Sequence, residues 1–276
     1  MKLNEVLMEA ESVLLEAKIP DAKLDAWYLF EHAFGMGRVD YLLNQEMSAK
    51  EESYKAYQNM VTLRCNHIPL QHITGIQEFM GLDFEVNEHV LIPRQDTVCL
   101  VERVMQYADG KHVLDVCTGS GCIIVSLRKH CSLKSATALD ISKEALKVAK
   151  RNADQLEAEV NFIESDLFSQ ITEKYDIIVS NPPYIPTRVI EGLMEEVREH
   201  EPMLALDGKE DGLYFYRKIT SEAHQYLNPD GMLFFEIGYD QAEAVATLLK
   251  DHGFNEVTVE KDLAGLDRIV YGKLRV

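Results

Sequence analysis

A paired-cysteine motif is missing from the 276 residues. The five cysteines, Cys65, Cys99, Cys117, Cys122 and Cys131, are odd in number and scattered, with no CxxC spacing, which argues against a disulfide framework and a zinc site. A reducing compartment follows, with no metal expected, and Cys117, Cys122, His67 and His72 read as packing or surface residues. Long apolar runs are lacking too, and none approaches a membrane span. The opening "MKLNEVLMEAESVLLEAKIP" sets apolar and acidic residues at helical spacing, without the basic start and unbroken apolar core of a signal peptide, so a cytoplasmic protein is expected. Basic charge is scarce. Against 46 Asp and Glu stand 28 Lys and Arg, a formal net charge of −18, with no Lys/Arg cluster, so nucleic acid would be repelled and a basic protein partner suits better. Repeats, low-complexity tracts and long linkers are absent, and 46% hydrophobic with 27% charged residues describes a globular chain with at least one large core.

The chain itself divides by texture. Residues 1–77 read as amphipathic helices, in which Leu24, Trp27, Tyr28 and Phe34 form one stripe and Gly35 with Gly37 a stop. Residues 78–95, "EFMGLDFEV" and "HVLIPR", read as a β-hairpin linker. Over residues 96–276 strands such as "HVLDVCT", "SATALDI", "YDIIVSNPP" and "GMLFFEIG" alternate with helices, which predicts an α/β fold with a mainly parallel sheet. The tail "NEVTVEKDLAGLDRIVYGKL" holds two strands without a helix between them, so the sheet should end in an antiparallel strand pair.

Ligands of open α/β sheets bind outside the carboxyl ends of strands, so those ends are the candidate site. "VLDVCTGSGC" is a strand carrying Asp115, then a turn through Cys117, Thr118, Gly119, Ser120 and Gly121 into a helix; glycines there let backbone approach a ligand closely. "ALDIS" puts Asp140 about 20 residues further on, where a carboxylate takes ribose hydroxyls, although the same residue could simply precede a helix capped by Ser142. "SDLF" offers Asp166 to an adenine amino group and Leu167 or Phe168 to its ring. The three ends describe an adenosine pocket that could hold NAD or S-adenosylmethionine, but the GxGxxG fingerprint of dinucleotide sites is not there.

A fourth strand ends "NPPY". Pro182 forces Asn181 out of the α region, and neither Pro182 nor Pro183 offers an N–H, so the backbone presents carbonyls only. Asn181 adds an amide and Tyr184 a flat face. Such a group can grip a planar substrate amide or amine.

These strings together resemble the class I S-adenosylmethionine-dependent methyltransferases, and more closely the HemK-type protein-(glutamine-N5) methyltransferases of peptide chain release factors. The resemblance runs along the chain through "PLQHITG", "GLDFEVNEHVLIPRQDT", "LDVCTGSG", "NPPYIP", "EP" with "DGL", "EIG" and "LAGLDRIV". It implies a Rossmann-like sheet with a small helical N-terminal domain that recognises the substrate, and methyl transfer from S-adenosylmethionine to the glutamine of a release factor's GGQ motif, modulating translation termination. By the same resemblance the cofactor lies against Asp115, Cys117 to Gly121, Asp140, Asp166, Leu167 and Asn181, and the substrate glutamine against Asn181, Pro182, Pro183 and Tyr184. A monomer free of nucleic acid and membrane is implied. Cys117 departs from the family's usual glycine, Gln95 from a proline, Val98 from a glutamate and Leu167 from an aromatic residue of some members. An adenine-N6 nucleic-acid methyltransferase also carries NPPY but would need a basic surface or a recognition insert. A non-catalytic cofactor-binding adaptor would show a damaged clamp, and this one is intact.

Overall fold

The computed structural model describes residues 1–275, which form two compact units: residues 1–75 with 194–200, and residues 76–193 with 201–275. The first unit is helical, with α1 (Leu3–Glu16), α2 (Ala22–Phe34), α3 (Arg38–Asn44), α4 (Glu51–Cys65) and α5 (Leu70–Thr74). At the start of α1 the Lys2 N–H donates to the Glu5 carboxylate at 2.8 Å, and Leu3, Val6, Leu7, Ala10 and Leu14 fall on its buried side. In α2 the buried stripe differs from the expected one. Ala22, Ala26, Trp27, Leu29 and Phe30 face inward, whereas Leu24 and Tyr28 are 44% and 45% exposed. The cause is Tyr57 of α4, which packs edge-on against Phe30 and donates its hydroxyl to Ala26 O at 2.9 Å, drawing that side of α2 into the core. Gly35, at φ 60°, ends the helix with its N–H on Glu31 O. Buried Arg64 joins this unit together, donating to Asp25 at 2.7 Å, to Glu196 at 2.8 Å and to Ile68 O at 3.1 Å.

The second unit begins with a hairpin, β1 (Ile76–Phe79) and β2 (Leu82–Glu85), paired antiparallel. It continues through α6 (Thr97–Ala108), β3 (His112–Val116), α7 (Cys122–His130), β4 (Ser135–Asp140), α8 (Lys143–Gln155), β5 (Asn161–Glu164) and β6 (Tyr175–Ser180). Three short helices follow, α9 (Thr187–Ile190), α10 (Glu195–His200, part of the first unit) and α11 (Met203–Leu206), then α12 (Tyr214–Tyr226), β7 (Leu227–Glu236), α13 (Ala242–Asp251), β8 (Phe254–Lys261) and β9 (Asp267–Leu274).

Seven strands lie in the order β5-β4-β3-β6-β7-β9-β8. The first five are parallel, while β9 runs antiparallel to both β7 and β8, as the helix-free tail implied. Alternate residues serve opposite faces. Val113, Ile177, Val179 and Phe234 pack under α6 and α7, and Leu114, Ile178, Leu233 and Phe235 under α12 and α13. Burial on both faces is why these strands read as unbroken apolar runs.

Candidate active site

From β3 the chain lays β4 and β5 to one side, then returns to place β6 and β7 on the other. Crevices in open sheets form at such a reversal. Val116 of β3 pairs with Ser180 of β6, so the next residues, Cys117 and Asn181, leave the sheet as neighbours. Ser180 Oγ donates to Val116 O at 2.6 Å and ties the two strand ends.

After β3 the chain turns tightly, with Gly121 N–H on Thr118 O at 2.9 Å. Gly121, at φ +80°, lies where a Cβ would come 3.1 Å from the Ala149 Cβ of α8; a Cβ on Gly119 would meet nothing within 4 Å, so the space beside it is open to a ligand. Cys117 holds φ 63°, a conformation that costs an L-residue about 1–2 kcal/mol. Its thiol is pushed well above the usual value by burial and stays protonated. Beneath the turn, Asp115 Oδ2 accepts the Thr118 hydroxyl at 2.6 Å while Oδ1 is buried with no hydrogen-bond partner. Burial pushes this carboxyl up to about 7. From α8, buried Asn152 donates to Ser120 O at 2.9 Å and exchanges bonds of 3.0 and 2.6 Å with the Glu85 backbone, fixing the turn against the hairpin.

Asp140 ends β4 with each oxygen on a backbone N–H, Gly119 and Ser142, both at 2.9 Å. Ser142 Oγ in turn caps α8 by accepting the Ala145 N–H at 3.2 Å. Each carboxylate oxygen still has a lone pair to give a ligand, so the helix entry and a ligand contact are compatible. Burial raises the Asp140 pKa above its ordinary value. After β5 come Asp166 and Leu167, the latter at φ 47° with its carbonyl accepting the Ser165 hydroxyl. Non-glycine residues in this left-handed region gather at functional sites, and Cys117 and Leu167 both face the crevice.

After β6, Asn181 Nδ2 donates to Thr97 Oγ1 at 3.4 Å. Tyr184 is held by its backbone, its carbonyl accepting Gln241 Nε2 at 2.9 Å. A Cβ on Gly208 would stand 2.7 Å from Tyr184 Cα, and one on Gly212 would strike Tyr184 O, so the strap 208–212 needs glycine to close on NPPY. Burial and the neighbouring Glu236 charge raise the Tyr184 pKa and keep the phenol neutral.

One cavity of about 300 Å³ lies over these strand ends. Cys117, Thr118, Gly119, Ser120 and Asp140 line it from β3 and β4, and Asp166, Leu167, Asn181 and Pro183 from β5 and β6. Asp115, Gly121, Pro182 and Tyr184 are not in its wall; Asp115 and Gly121 shape the turn from within, and Tyr184 packs toward the α12 side of the sheet. Pro93, Arg94, Thr97, Pro202 and Phe215 are also among the lining residues. The first, second and fourth of these sit in the strings "LIPR" and "EP", which carried the resemblance, but none was expected as a site residue. Asn152 and Gln241 carry no signal, being ordinary polar residues inside α8 and just before α13. The donor set suits a cationic adenosine ligand. Asp140 and Asp166 face the cavity, whereas its cations Arg94 and Lys209 are each engaged by a carboxylate, Glu201 and Asp207. The Gly119 N–H, which a pyrophosphate at the glycine turn would need, is already given to Asp140.

The chain is similar to known proteins along its length. The PrmC N-terminal domain matches residues 5–75 and the methyltransferase small domain residues 95–200. A release factor glutamine methyltransferase of Clostridium acetobutylicum is 41% identical over 278 residues, covering 98% of each chain. That of Geobacter sulfurreducens is 41% identical over 274 residues, covering 99% of this chain and 96% of its own. Among solved structures, a methyltransferase from Pyrococcus furiosus shares the fold with a TM-score of 0.57 at 16% identity, over 79% of this chain and 98% of that one. By full-length identity and by the paired glycine turn and NPPY segment, the chain belongs to the release factor glutamine methyltransferases.

Proposed function

We propose that the protein transfers a methyl group from S-adenosylmethionine to the side-chain amide nitrogen of the GGQ glutamine in a peptide chain release factor, and so modulates translation termination. The observation that carries this is one cavity shared by Cys117 to Ser120, Asp140 and Asn181 at the reversal of strand order. The turn Cys117–Gly121, with Asp115 beneath it, Asp140, Asp166 and Leu167, would hold the cofactor. When bound, S-adenosylmethionine supplies an electrophilic methyl on a sulfonium.

A carboxamide nitrogen is a weak nucleophile because its lone pair is delocalised into the carbonyl. Asn181 Oδ1 would accept an N–H of this amide, while Pro182 and Tyr184, expected from the sequence to touch the substrate, stand behind the cavity wall and would brace Asn181 instead. The acceptor binds more strongly as the nitrogen becomes positive, which lowers the barrier in addition to orienting the amide. The prolines remove backbone donors that would compete for the same position. No base is needed before transfer, since the proton becomes acidic only afterwards.

Residues 1–77 would recognise the factor, residues 78–95 link, and residues 96–276 carry the chemistry. Helix α3 supports that division, since none of its residues is buried and Val39, Leu42 and Leu43 are 71%, 64% and 78% exposed. A net charge of −18 favours a protein substrate over nucleic acid. The enzyme would act as a monomer in the cytoplasm, where release factors work. Among the described residues, no helix is long and apolar enough to cross a membrane. The test is labelled-methyl transfer to purified release factors, DNA and RNA. Label should go to a glutamine of the release factor, and Asn181→Ala should lower turnover about 100-fold or more. Label on DNA alone would overturn the assignment.

A further inference from the structure

We propose that Glu236 is a positioning residue that fixes which end of the Asn181 amide faces the substrate; this rests on the glutamine-methylation reading above. Ser180 of β6 pairs with Phe235 of β7, so Asn181 and Glu236 emerge from adjacent strands side by side. Glu236 is 2% exposed and does not line the cavity, whereas Asn181 and Thr97 do. It therefore touches neither substrate nor cofactor and acts through its neighbours. The side chains of Thr97 and Asn181 both favour the ionised form of its carboxylate, Asn181 Nδ2 donates to Thr97 Oγ1 at 3.4 Å, and Oε2 is buried with no hydrogen-bond partner.

The two ends of a side-chain amide have nearly the same shape, so its direction is set by the partners around it. An ionised carboxylate can only accept. Ionised Glu236 accordingly draws the Thr97 hydroxyl proton and the Nδ2 end of Asn181 to its side, so that Nδ2 donates to Thr97 Oγ1 and Oδ1 is left turned to the cavity to accept an N–H of the substrate amide. Thr97 alone could not impose this direction, because a hydroxyl both donates and accepts. With the amide reversed, N–H would face N–H and the substrate nitrogen would lose its acceptor.

The charge on Glu236 is what matters, and several groups face it. Arg268 of β9 attracts it, Asp96 before α6 repels it, and Tyr184, Tyr216 of α12 and Cys122 of α7 lie within electrostatic reach. Burial outweighs Arg268 and pushes the carboxyl up to about 7. The two tyrosines and the cysteine have raised pKa values of their own and stay neutral through that range. Turnover should thus fall as pH drops through about 7, as Glu236 takes a proton and becomes able to donate.

The test compares wild type, Glu236→Gln and Glu236→Asp for kcat and KM with a release factor, for cofactor affinity by calorimetry, and for melting temperature. Losing one directed acceptor should lower kcat of Glu236→Gln about 10- to 100-fold, with KM and cofactor Kd within about twofold of wild type. With cofactor saturating, so that titration of Asp115 beneath the cofactor turn does not limit turnover, the acid limb of kcat near neutral pH should vanish in Glu236→Gln, and Glu236→Asp should recover part of the turnover. A Glu236→Gln enzyme that keeps wild-type kcat, or keeps the acid limb, overturns the proposal. If that variant does not fold, the wild-type profile decides, and a kcat flat through neutral pH overturns it. A wild type that labels no glutamine sinks the reading of function itself, a result seen without any variant.

Discussion

Asp115→Asn tests the electrostatics beneath the glycine turn. Asp115 is fully buried, and burial lifts its carboxyl from 3.8 to about 7, against the opposing bond from Thr118 and with the Asp140 charge adding to the rise. Between those values the folded chain holds a proton that the unfolded chain has released. Stability therefore falls as pH rises through this window and is level above it. At about 1.4 kcal/mol per pH unit, the loss between about pH 5 and pH 8 is about 3 kcal/mol. Asparagine carries no such charge. Its N–H at the position of the unpartnered Oδ1 would go unsatisfied, a cost of about 1–3 kcal/mol that does not change with pH.

The stability of the variant minus that of wild type should accordingly move by about 3 kcal/mol in the variant's favour between about pH 5 and pH 8. Urea denaturation at the two pH values measures it. Far-UV circular dichroism is the right probe, because the one tryptophan, Trp27, sits in α2 of the helical unit and reports on that unit instead. Other buried acids, Asp140 and Glu236 among them, titrate in both proteins and largely drop out of the difference. A difference constant to within about 1 kcal/mol would refute the claim that burial of a charge dominates at Asp115.

In the helical unit, Arg64→Ala leaves the buried Asp25 carboxylate and Glu196 without their shared cation. A loss of about 3–5 kcal/mol is expected, read by Trp27 fluorescence in urea, and an unchanged midpoint would show the network to be energetically idle. Gly212→Ala puts a Cβ against Tyr184 O and 2.7 Å from Gln241 Nε2, at φ +76°. Overpacking of about 1–3 kcal/mol should lower the melting temperature and, since the strap braces Tyr184, depress kcat more than cofactor affinity. Wild-type melting and turnover together would contradict that role for the strap.

The sheet was legible because its strands are buried on both faces and alternate with helices, and the helix-free tail correctly implied the antiparallel strands β8 and β9. Periodicity was less reliable for α2. It found apolar residues at helical spacing but could not tell that Tyr57, thirty-one residues from its partner Ala26, would turn Leu24 and Tyr28 outward. Helices α9 and α11 span four residues each, too few for any period to show. In the site, Cys117, Asp140 and Asn181 could be found because each ends or directly follows a strand. Asn152 and Gln241 could not, since their value lies in meeting Ser120 O and Tyr184 O from distant positions in the chain. Glu236 falls between these cases. It ends a strand as Asp140 does, inside "EIG", and the rule that selects strand-end carboxylates selects it as well.

Asp115 and Glu236 raise a common question, because each is a buried acid that weakens the fold once ionised. Packing does not require them, as apolar residues of similar volume at buried ionic positions are often neutral or stabilising. Their hydrogen bonds point to the reason. Asp115 holds Thr118, and Glu236 faces Asn181 and Thr97, and all three of those residues line the cavity. Each acid stands one layer beneath a polar side chain that can turn, and an ionised carboxylate accepts without donating, so it dictates which way that side chain presents itself. A neutral amide beneath Asn181 would permit both orientations, and an apolar residue would impose neither. The stability given up at these two positions is thus spent on orientation at the strand ends, where catalysis of amide methylation depends on acceptors aimed at nitrogen.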